Sequence, residues 1–370
     1  MTRFDRPFPL NLDWTLLILV IGICVIGILN IYSAGHSLTS VKTSPFYVKQ
    51  LHWVGVGLFL MVAAFLIDYR LICQFAYVFY GIGIFLLVMV AVYGYTTHGS
   101  QRWIVLGGFS FQPSELVKLT LILALARYFN DHRSYGRYGV KDLLIPLALV
   151  LAPFLLIVRQ PDLGTGLMLL LVFGSVVLFA GIRWRDLLWT VILAAILTPL
   201  GWFFLRDYQK DRILTFFNPD RDPLGAGYHI IQSMIAVGSG GGFGKGYLKG
   251  TQTQLRFLPE QQTDFVFSVF AEEWGFLGGV VLILLFLTLI LWGLRIALRS
   301  RDYLGALVAL GFTALLFWGV FINIGMVLGI LPVVGIPLPF LSYGGSAVAV
   351  LLTGVGLLMN ISMRRFAFQR

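Results

Sequence analysis

The sequence predicts an all-α polytopic membrane protein with about ten transmembrane helices and one large extracytoplasmic loop between helices 7 and 8. Hydrophobic residues make up 58% of the 370 residues and charged residues only 12%, against about 25% charged in soluble domains. The mean hydropathy is +0.86. Ten apolar runs can cross the roughly 30 Å of hydrocarbon in a bilayer. They are residues 14–34, 51–67, 72–94, 113–129, 143–158, 165–181, 187–204, 274–294, 304–328 and 346–363.

The basic residues indicate the orientation, because cytoplasmic loops carry an excess of Lys and Arg. With the N-terminus inside, the short outer loops hold four basic residues, which are Lys42, Lys49, Arg102 and Arg159. The inner segments hold fifteen, which are Arg3, Arg6, Arg70, Arg127, Arg133, Arg137, Lys141, Arg183, Arg185, Arg295, Arg299, Arg301, Arg364, Arg365 and Arg370. We therefore expect a multi-pass protein of the cytoplasmic (inner) membrane with both termini in the cytoplasm. Most of the formal charge of +10 comes from the basic residues of the inner segments, so we expect no nucleic-acid partner.

The chain, residues 1–370, is expected to form a single integral membrane domain. Its only sizeable segment outside the predicted helices is the outer loop at about residues 205–263, which is too short to build a substantial core of its own. Arg3 and Arg6 precede the first apolar run, as in a signal sequence. That run is long for a signal peptide and lacks a good cleavage site, which predicts an uncleaved helix.

Asp264 lies where the polar outer loop changes into an apolar helix, so its carboxylate is expected at the outer surface of the bilayer. An ionisable group at that depth costs free energy unless it is solvated, paired or used. Two interpretations are open. Thr263 or Asp264 caps the following helix, or Asp264 acts as a base on a half-buried lipid-linked substrate. Glu272 and Glu273, deeper in the helix, are interpreted as packing or network groups.

Glu115 and Lys118 are three residues apart and lie on one face of the helix that starts at Pro113 and Ser114. Either the two charges neutralise each other in a structural pair, or Lys118 is presented to a phosphate at the outer leaflet with Glu115 orienting it. The sequence leaves both possibilities open.

Further outer charges form the other candidate substrate-binding group. Arg159 and Asp162 flank a tight turn, and a structural ion pair holding that turn is the favoured interpretation. Arg212 and Lys245 are, individually, interpreted as solvated charges. Together with Arg102 and Lys118 the outer cations could concentrate positive potential on an anionic headgroup.

Residues 238–246 are rich in glycine but do not match a P-loop, because Ser239 and Gly246 occupy the wrong positions. A backbone nest for a pyrophosphate and a re-entrant turn are both open. Residues 337–346 interrupt the last apolar segments and are expected to line a wet cavity open to the outer leaflet. Histidine and cysteine show no metal-ligand spacing, but Asp264 and phosphate oxygens could hold a divalent cation such as Mg or Mn. No organic cofactor is expected.

Taken together, these blocks resemble the SEDS family (shape, elongation, division and sporulation proteins) from about residue 14 to residue 365. The matching motifs are Gln-Arg-Trp at 101–103, Phe-Gln-Pro-Ser-Glu at 111–115, Arg-Gln-Pro-Asp-Leu-Gly at 159–164, Asn-Pro at 218–219, Gly-Ala-Gly-Tyr at 225–228, Leu-Pro-Glu at 258–260, Thr-Asp-Phe at 263–265 and Pro-Leu-Pro-Phe-Leu-Ser-Tyr-Gly-Gly at 337–345. The chain departs from the family pattern at Gln262, where histidine is frequent, and at Ala347, where a hydroxyl residue is common.

The resemblance implies ten helices and peptidoglycan glycosyltransferase activity on lipid II, the undecaprenyl-pyrophosphate-linked disaccharide-peptide. It places Asp264 at the family's catalytic carboxylate. It also implies a class B penicillin-binding protein as partner, together with other membrane proteins of the elongation complex. The short N-terminal tail and residues 250–254 are more similar to the elongation member of the family than to the division member.

We therefore expect an inverting glycosyltransferase that makes glycan strands for cell elongation and rod shape. A division-specific member of the same family is one alternative. A lipid II flippase is a second, and it should need charged groups along a path to the cytoplasmic face. A scaffold that only recruits a synthase is a third, in which Asp264, Glu115 and Lys118 would be purely structural.

Overall fold

The computed structural model describes residues 12–36, 46–97, 100–106, 109–133, 137–204, 207–218, 225–258 and 260–364. Arg3, Arg6, Lys42, Arg365 and Arg370 of the orientation argument lie outside these ranges, as do Pro219 and Pro259 of the motifs. In chain order the helices are α1 (Trp14–Gly35), α2 (Phe46–Leu66), α3 (Tyr69–Gln74), α4 (Ala76–Tyr93), α5 (Pro113–Asp131), α6 (Leu144–Arg159), α7 (Leu163–Ala180), α8 (Trp184–Phe204), α9 (Asp207–Phe217), α10 (Ala226–Ser239), α11 (Thr251–Gln254), α12 (Val266–Leu298), α13 (Tyr303–Val327) and α14 (Gly345–Arg364).

Each of the predicted apolar runs coincides with one of the long helices, which confirms the helical membrane fold class. In the described part of the chain, eight helices are long and apolar enough to cross a membrane by length and composition. That set leaves out α5 and α8. Helix α5 carries Glu115, Lys118 and Arg127 and is almost wholly buried among its neighbours. The count of ten spans therefore stays a prediction.

Helix α14 is the most enclosed of the membrane-length helices, with 89% of its apolar window buried inside the protein. It packs closely along α2 because both helices place glycine at the contact. A Cβ at Gly356 would overlap the Met61 carbonyl, and one at Gly57 would overlap the Leu352 side chain. Lipid tails are as apolar as leucine, so helices in a bilayer associate through close packing of this kind rather than through hydrophobic exclusion.

Polar side chains tie the helix ends together at the end of the bundle opposite Asp264. Asn360 in α14 donates through Nδ2 to the Phe65 carbonyl of α2 at 2.6 Å. Asp13, which caps α1, accepts hydrogen bonds from Trp292 Nε1 at 3.0 Å and from Ser362 Oγ at 2.9 Å. The first and the last described helices therefore meet on the same face of the bundle.

A small antiparallel sheet between α4 and α5 was not predicted. It consists of β1 (Tyr95–Thr97), β2 (Ser100–Leu106) and β3 (Phe109–Phe111), in the order β1-β2-β3. The available signal was Gly107-Gly108 between two short runs of β-forming residues, which is a hairpin pattern. The all-α prediction is therefore wrong for this segment, which stands directly before the start of α5.

The glycine-rich turn at residues 238–246 inserts into the hydrogen-bond ladder of α12. Gly275, with φ 67° and ψ −165°, interrupts the helix. The two carbonyls before this break and the two amides after it bond to the turn instead of to each other, which gives four hydrogen bonds between the turn and the helix. The replacing pairs are Lys245 N to Glu272 O (3.0 Å), Gly246 N to Glu273 O (3.0 Å), Phe276 N to Gly241 O (2.8 Å) and Leu277 N to Gly242 O (3.1 Å). Because these turn amides and carbonyls are used internally, the structure favours the re-entrant turn over the pyrophosphate nest.

Replacing Gly275 by Ala should lower the free energy of unfolding. Its backbone conformation is accessible to glycine almost alone and costs about 1–3 kcal/mol for other residues, and the new Cβ would overlap the Gly244 nitrogen. Gly174→Ala in α7 is the matched control, since a Cβ there meets nothing within 4 Å. Thermal unfolding in detergent micelles should show a lower midpoint only for Gly275→Ala. Equal midpoints for the two variants would contradict the role of this kink.

Candidate active site

Asp264 stands immediately before α12, in a short non-helical segment that the loop between α13 and α14 holds by its backbone. That loop comprises residues 328–344 and is called the α13–α14 loop below. Tyr343 N donates to the Gln262 carbonyl at 2.8 Å, and Ser342 Oγ donates to the Thr263 carbonyl at 2.6 Å. Buried polar backbone needs such partners at membrane depth. The main chain of the segment is thus anchored without using the Asp264 side chain.

The carboxylate of Asp264 is half-buried and is not a helix cap. Helix α12 begins at Val266, and its N-cap residue, Phe265, has no side-chain capping hydrogen bond. The capping interpretation is therefore wrong for both Thr263 and Asp264. Within the described ranges, the carboxylate oxygens have no hydrogen bond or ion pair. Gly335, at φ +73°, lies beside them, and a Cβ on it would be 3.4 Å from Asp264 Oδ2.

The pKa of Asp264 is raised from 3.8 to about 6, first by burial and then by the negative charge of Glu260. Arg212 and Arg102 act in the opposite direction, and Asp162 adds to the increase. Three of the predicted site residues, Arg102, Asp162 and Arg212, are therefore within electrostatic reach of Asp264. Glu260 was not predicted, although its position four residues before Asp264 was a usable signal.

Arg102, rather than Arg159, holds the tight turn before α7. Arg102 in β2 donates to the carbonyls of Gln160, at 3.1 Å, and Pro161, and its Nη1 lies 3.9 Å from Asp162 Oδ1. Asp162 is buried and caps α7. Arg159 is exposed at the end of α6, and no ion pair of Arg159 occurs within the described residues. The predicted Arg159–Asp162 pair is therefore wrong, because the unpredicted sheet carries Arg102 onto the turn.

Arg212 reaches the site from the outer loop. It is exposed on α9, and its Nη1 donates to the Val333 carbonyl of the α13–α14 loop at 3.4 Å. This contact places an exposed guanidinium on the same loop that runs past Asp264. Arg212 is the one predicted outer cation that combines exposure with an electrostatic effect on Asp264, whereas Arg102 is partly covered.

Glu115 and Lys118 form the predicted pair, with 2.8 Å between Lys118 Nζ and Glu115 Oε1. Both are buried, with 5% and 8% of their surface exposed. They line a cavity of about 30 Å³ together with Ile336 and Ser342 of the α13–α14 loop. That volume holds about one water molecule. In this structure the two charges therefore neutralise each other, and the cavity found along residues 337–346 is this small space.

Lys245 belongs to a separate network, which it forms with α11 and α12. Its Nζ is 2.7 Å from Oε1 of the fully buried Glu272 and 2.8 Å from Thr251 Oγ1. Glu273 accepts from Ser33 Oγ and from Leu248 N. Glu272 and Glu273 are network groups, as predicted, whereas the interpretation of Lys245 as a solvated charge is wrong. Lys245 is not among the charges that act on Asp264.

The described residues contain no group of three or more His, Cys, Asp or Glu side chains able to hold a metal ion. A divalent cation bridging Asp264 and a phosphate would need oxygen ligands from the substrate, since Asp264 alone offers two protein oxygens. Mg or Mn at this position stays a prediction.

Comparison with known proteins agrees with the motifs. Residues 13–366 match the FtsW/RodA/SpoVE family, described as cell cycle proteins. The chain belongs to this family. Peptidoglycan glycosyltransferase MrdB of Escherichia coli (strain K12) is 44% identical over 357 residues, which are 96% of this chain and 94% of MrdB.

Two solved structures of the family have the same fold. A chain from a peptidoglycan synthase complex, reported to coordinate polymerization and crosslinking, has a TM-score of 0.82 and 37% identity, covering 96% of this chain and 99% of that chain. The rod shape determining protein RodA of Thermus thermophilus has a TM-score of 0.72 and 31% identity, covering 97% and 99%. These coverages confirm the resemblance over nearly the whole length and establish a multi-pass membrane protein.

Replacing Lys118 by Met should lower the free energy of unfolding by about 3–5 kcal/mol, because it leaves the Glu115 carboxylate buried without a partner. Adding Glu115→Gln to the same chain should restore most of this loss, since no uncompensated charge then remains. Denaturant or thermal unfolding in detergent measures both variants. If Lys118→Met alone is as stable as the protein without substitutions, the Glu115 carboxylate does not depend on Lys118 for its burial.

Proposed function

We propose that this chain is a peptidoglycan glycosyltransferase of the elongation type that polymerises lipid II at the outer face of the cytoplasmic membrane. The observation that carries the proposal is the Asp264 carboxylate, which is half-buried and unpaired among the described residues. Its backbone is held by hydrogen bonds directly before the N-terminus of a membrane helix. The E. coli relative is named for this activity, and the name of the Thermus relative refers to rod shape.

In the proposed reaction, the 4-hydroxyl oxygen of the acceptor sugar attacks the anomeric carbon of the donor. The new carbon–oxygen bond forms as the bond to undecaprenyl pyrophosphate breaks, and the hydroxyl proton passes to Asp264. One base is enough for inversion, because pyrophosphate leaves without a strong general acid. Glycoside hydrolases, by contrast, need two carboxyl groups. Arg102 and Arg212 would offset the charge of the leaving pyrophosphate.

A raised pKa suits a general base, since a base is most effective when its pKa is near the working pH. At neutral pH a carboxyl group with a pKa of about 6 is mostly ionised and can accept a proton. Its conjugate acid still gives the proton up readily. Burial, the first cause of the increase, therefore contributes directly to the proposed chemistry.

The Glu115–Lys118 pair enters the proposal through the α13–α14 loop. Gly335 lies beside the Asp264 carboxylate, and the next residue, Ile336, lines the cavity of the pair. A movement of this loop would open the cavity toward the site and offer Lys118 to a phosphate. Lys245 and Arg159 lie outside this arrangement, so we propose at most a peripheral contact for them.

A flippase is the second candidate, and the arrangement of charges favours the transferase. The carboxylate of Asp264, unpaired in the part of the chain that the structure describes, lies at one end of the bundle. A larger cavity of about 360 Å³ lies at the other end, where it is lined by Asp68, Arg70, Arg127 and Asp131. Its arginines are already paired with carboxylates.

We further propose a class B penicillin-binding protein as the partner, with other elongation-complex membrane proteins, and cytoplasmic termini. The synthase-complex relative supports the partner. The meeting of Asp13 with Ser362 on one face of the bundle, together with the basic residues of the predicted inner segments, supports the orientation. A divalent cation, Mg or Mn, would assist Arg102 and Arg212 in neutralising the pyrophosphate.

Asp264→Asn should abolish glycan polymerisation while leaving the protein folded. Removal of a general base costs roughly 10²–10⁴-fold in rate, and the half-buried site accepts an amide of the same size. Labelled lipid II, supplied with the partner and with or without divalent cation, gives the polymer yield. Asp207→Asn, an exposed carboxylate of α9, is the matched control. Near-normal polymer from Asp264→Asn at equal expression would end the catalytic assignment.

The acidic limb of the pH–rate profile should respond in opposite directions to two charge removals. Turnover should fall as the pH drops through about 6, where Asp264 becomes protonated. Glu260→Gln removes a charge that raises this pKa and should move the limb to lower pH. Arg212→Gln removes one that lowers it and should move the limb to higher pH. Initial rates at saturating lipid II measure both shifts, and shifts in the same direction would refute the assignment of the limb to Asp264.

A further inference from the structure

Asn323 is a fully buried amide near the C-terminal end of α13. Its Nδ2 atom donates to the Asp264 carbonyl at 2.9 Å and to the Ile336 carbonyl at 2.8 Å. Both amide hydrogens are therefore used, and each goes to a different segment. One segment carries the proposed base, and the other belongs to the α13–α14 loop.

The orientation of this amide follows from chemistry. A carbonyl oxygen only accepts hydrogen bonds, so the group that faces two carbonyls must be the NH₂ end of the side chain. The Asn323 Oδ1 atom is buried and has no hydrogen-bond partner in the described chain. A buried acceptor without a partner costs free energy. The residue is therefore arranged around its two donor bonds at the expense of its oxygen.

We propose that Asn323 is a positioning residue. It fixes the position of the Asp264 segment relative to the part of the α13–α14 loop that lies beside the Asp264 carboxylate. The inference rests on the proposed function, because positioning matters only if Asp264 reacts. The loop residue next to Ile336 is Gly335, which lies beside Asp264 Oδ2. A single side chain thus holds the backbone of the base and the backbone of the surface that faces it.

The other anchors of the segment do not duplicate this bond. Ser342 and Tyr343 hold the carbonyls of Thr263 and Gln262, which precede Asp264. Removing the Asn323 amide would leave the carbonyls of Asp264 and Ile336 without this donor, and both segments would shift to find new partners. A displacement of about 1 Å in a reacting group can cost roughly 10²-fold in rate.

The first test is kinetic and uses the full chain with its partner in lipid nanodiscs. Asn323→Leu keeps the size of the side chain but removes both donors, and it should lower kcat by about 10–100-fold with the KM for lipid II unchanged. Asn360→Leu is the matched control, because Asn360 is an equally buried amide that bonds backbone carbonyls at the opposite end of the bundle. It should reduce stability without this change in kcat.

The second test does not depend on activity. Asp264→Cys is introduced into a chain carrying Cys24→Ala and Cys73→Ala, and the rate of alkylation by a water-soluble thiol reagent is measured. Adding Asn323→Leu should change that rate several-fold, whereas adding Asn360→Leu should not. If Asn323→Leu does not fold, Asn323→Ser, which keeps one donor, replaces it in both tests. It should likewise lower kcat and change the alkylation rate.

The two tests separate the inference from the function on which it rests. If the protein without any substitution makes no glycan, the proposed function is refuted. The alkylation rates would still decide whether Asn323 fixes the segment. Unchanged alkylation would then overturn the inference. An active protein whose Asn323→Leu variant keeps its kcat would overturn the inference alone. A loss confined to KM would also count against it, since that is the signature of weaker substrate binding.

Discussion

The site depends on one constraint, which is that backbone polar groups near the hydrocarbon need partners inside the protein. Residues 262–264 are non-helical at the head of α12, and their three carbonyls receive donors from Tyr343, Ser342 and Asn323. These bonds hold the main chain of the segment in place without using the Asp264 side chain, which does not cap α12. The same constraint explains the glycine turn, whose amides and carbonyls replace hydrogen bonds that the kink at Gly275 breaks in α12.

Charges elsewhere in the structure follow a different pattern. Glu115 with Lys118 and Glu272 with Lys245 are pairs in which at least one group is fully or almost fully buried. Taking such a charge out of water costs several kcal/mol for each ion. A well-placed partner of opposite charge offsets about this cost. Asp264 keeps partial contact with solvent and has no such partner within the described ranges, and its pKa rises. In these two pairs a cation offsets the buried carboxylate, whereas among the described residues Asp264 has no such cation in contact with it.

Sequence patterns predicted the helices and singled out Asp264 as a candidate because both are local signals. An apolar run must be about as long as the bilayer is thick, and Asp264 marks the edge of such a run. Two errors are local, namely the capping interpretation and the missed sheet, whereas the wrong ion-pair interpretations concern partners that are distant in sequence. Arg102 reaches the turn before α7 only because an unpredicted sheet carries it there, and Lys245 meets Glu272 only because α12 is kinked. Neither contact has a spacing that the sequence could reveal.

The α13–α14 loop connects the two parts of the site mechanically. Gly335 lies beside the Asp264 carboxylate, Ile336 lines the Glu115–Lys118 cavity, and Asn323 holds the loop to the Asp264 segment. The cavity of about 30 Å³ is too small for a phosphate group. Residues 336–340 and 342 form part of its wall, so a loop movement that widened the cavity around Lys118 would pull on the same backbone that positions Asp264. Exposure of the buried lysine and alignment of the carboxylate are thus not independent events in this fold.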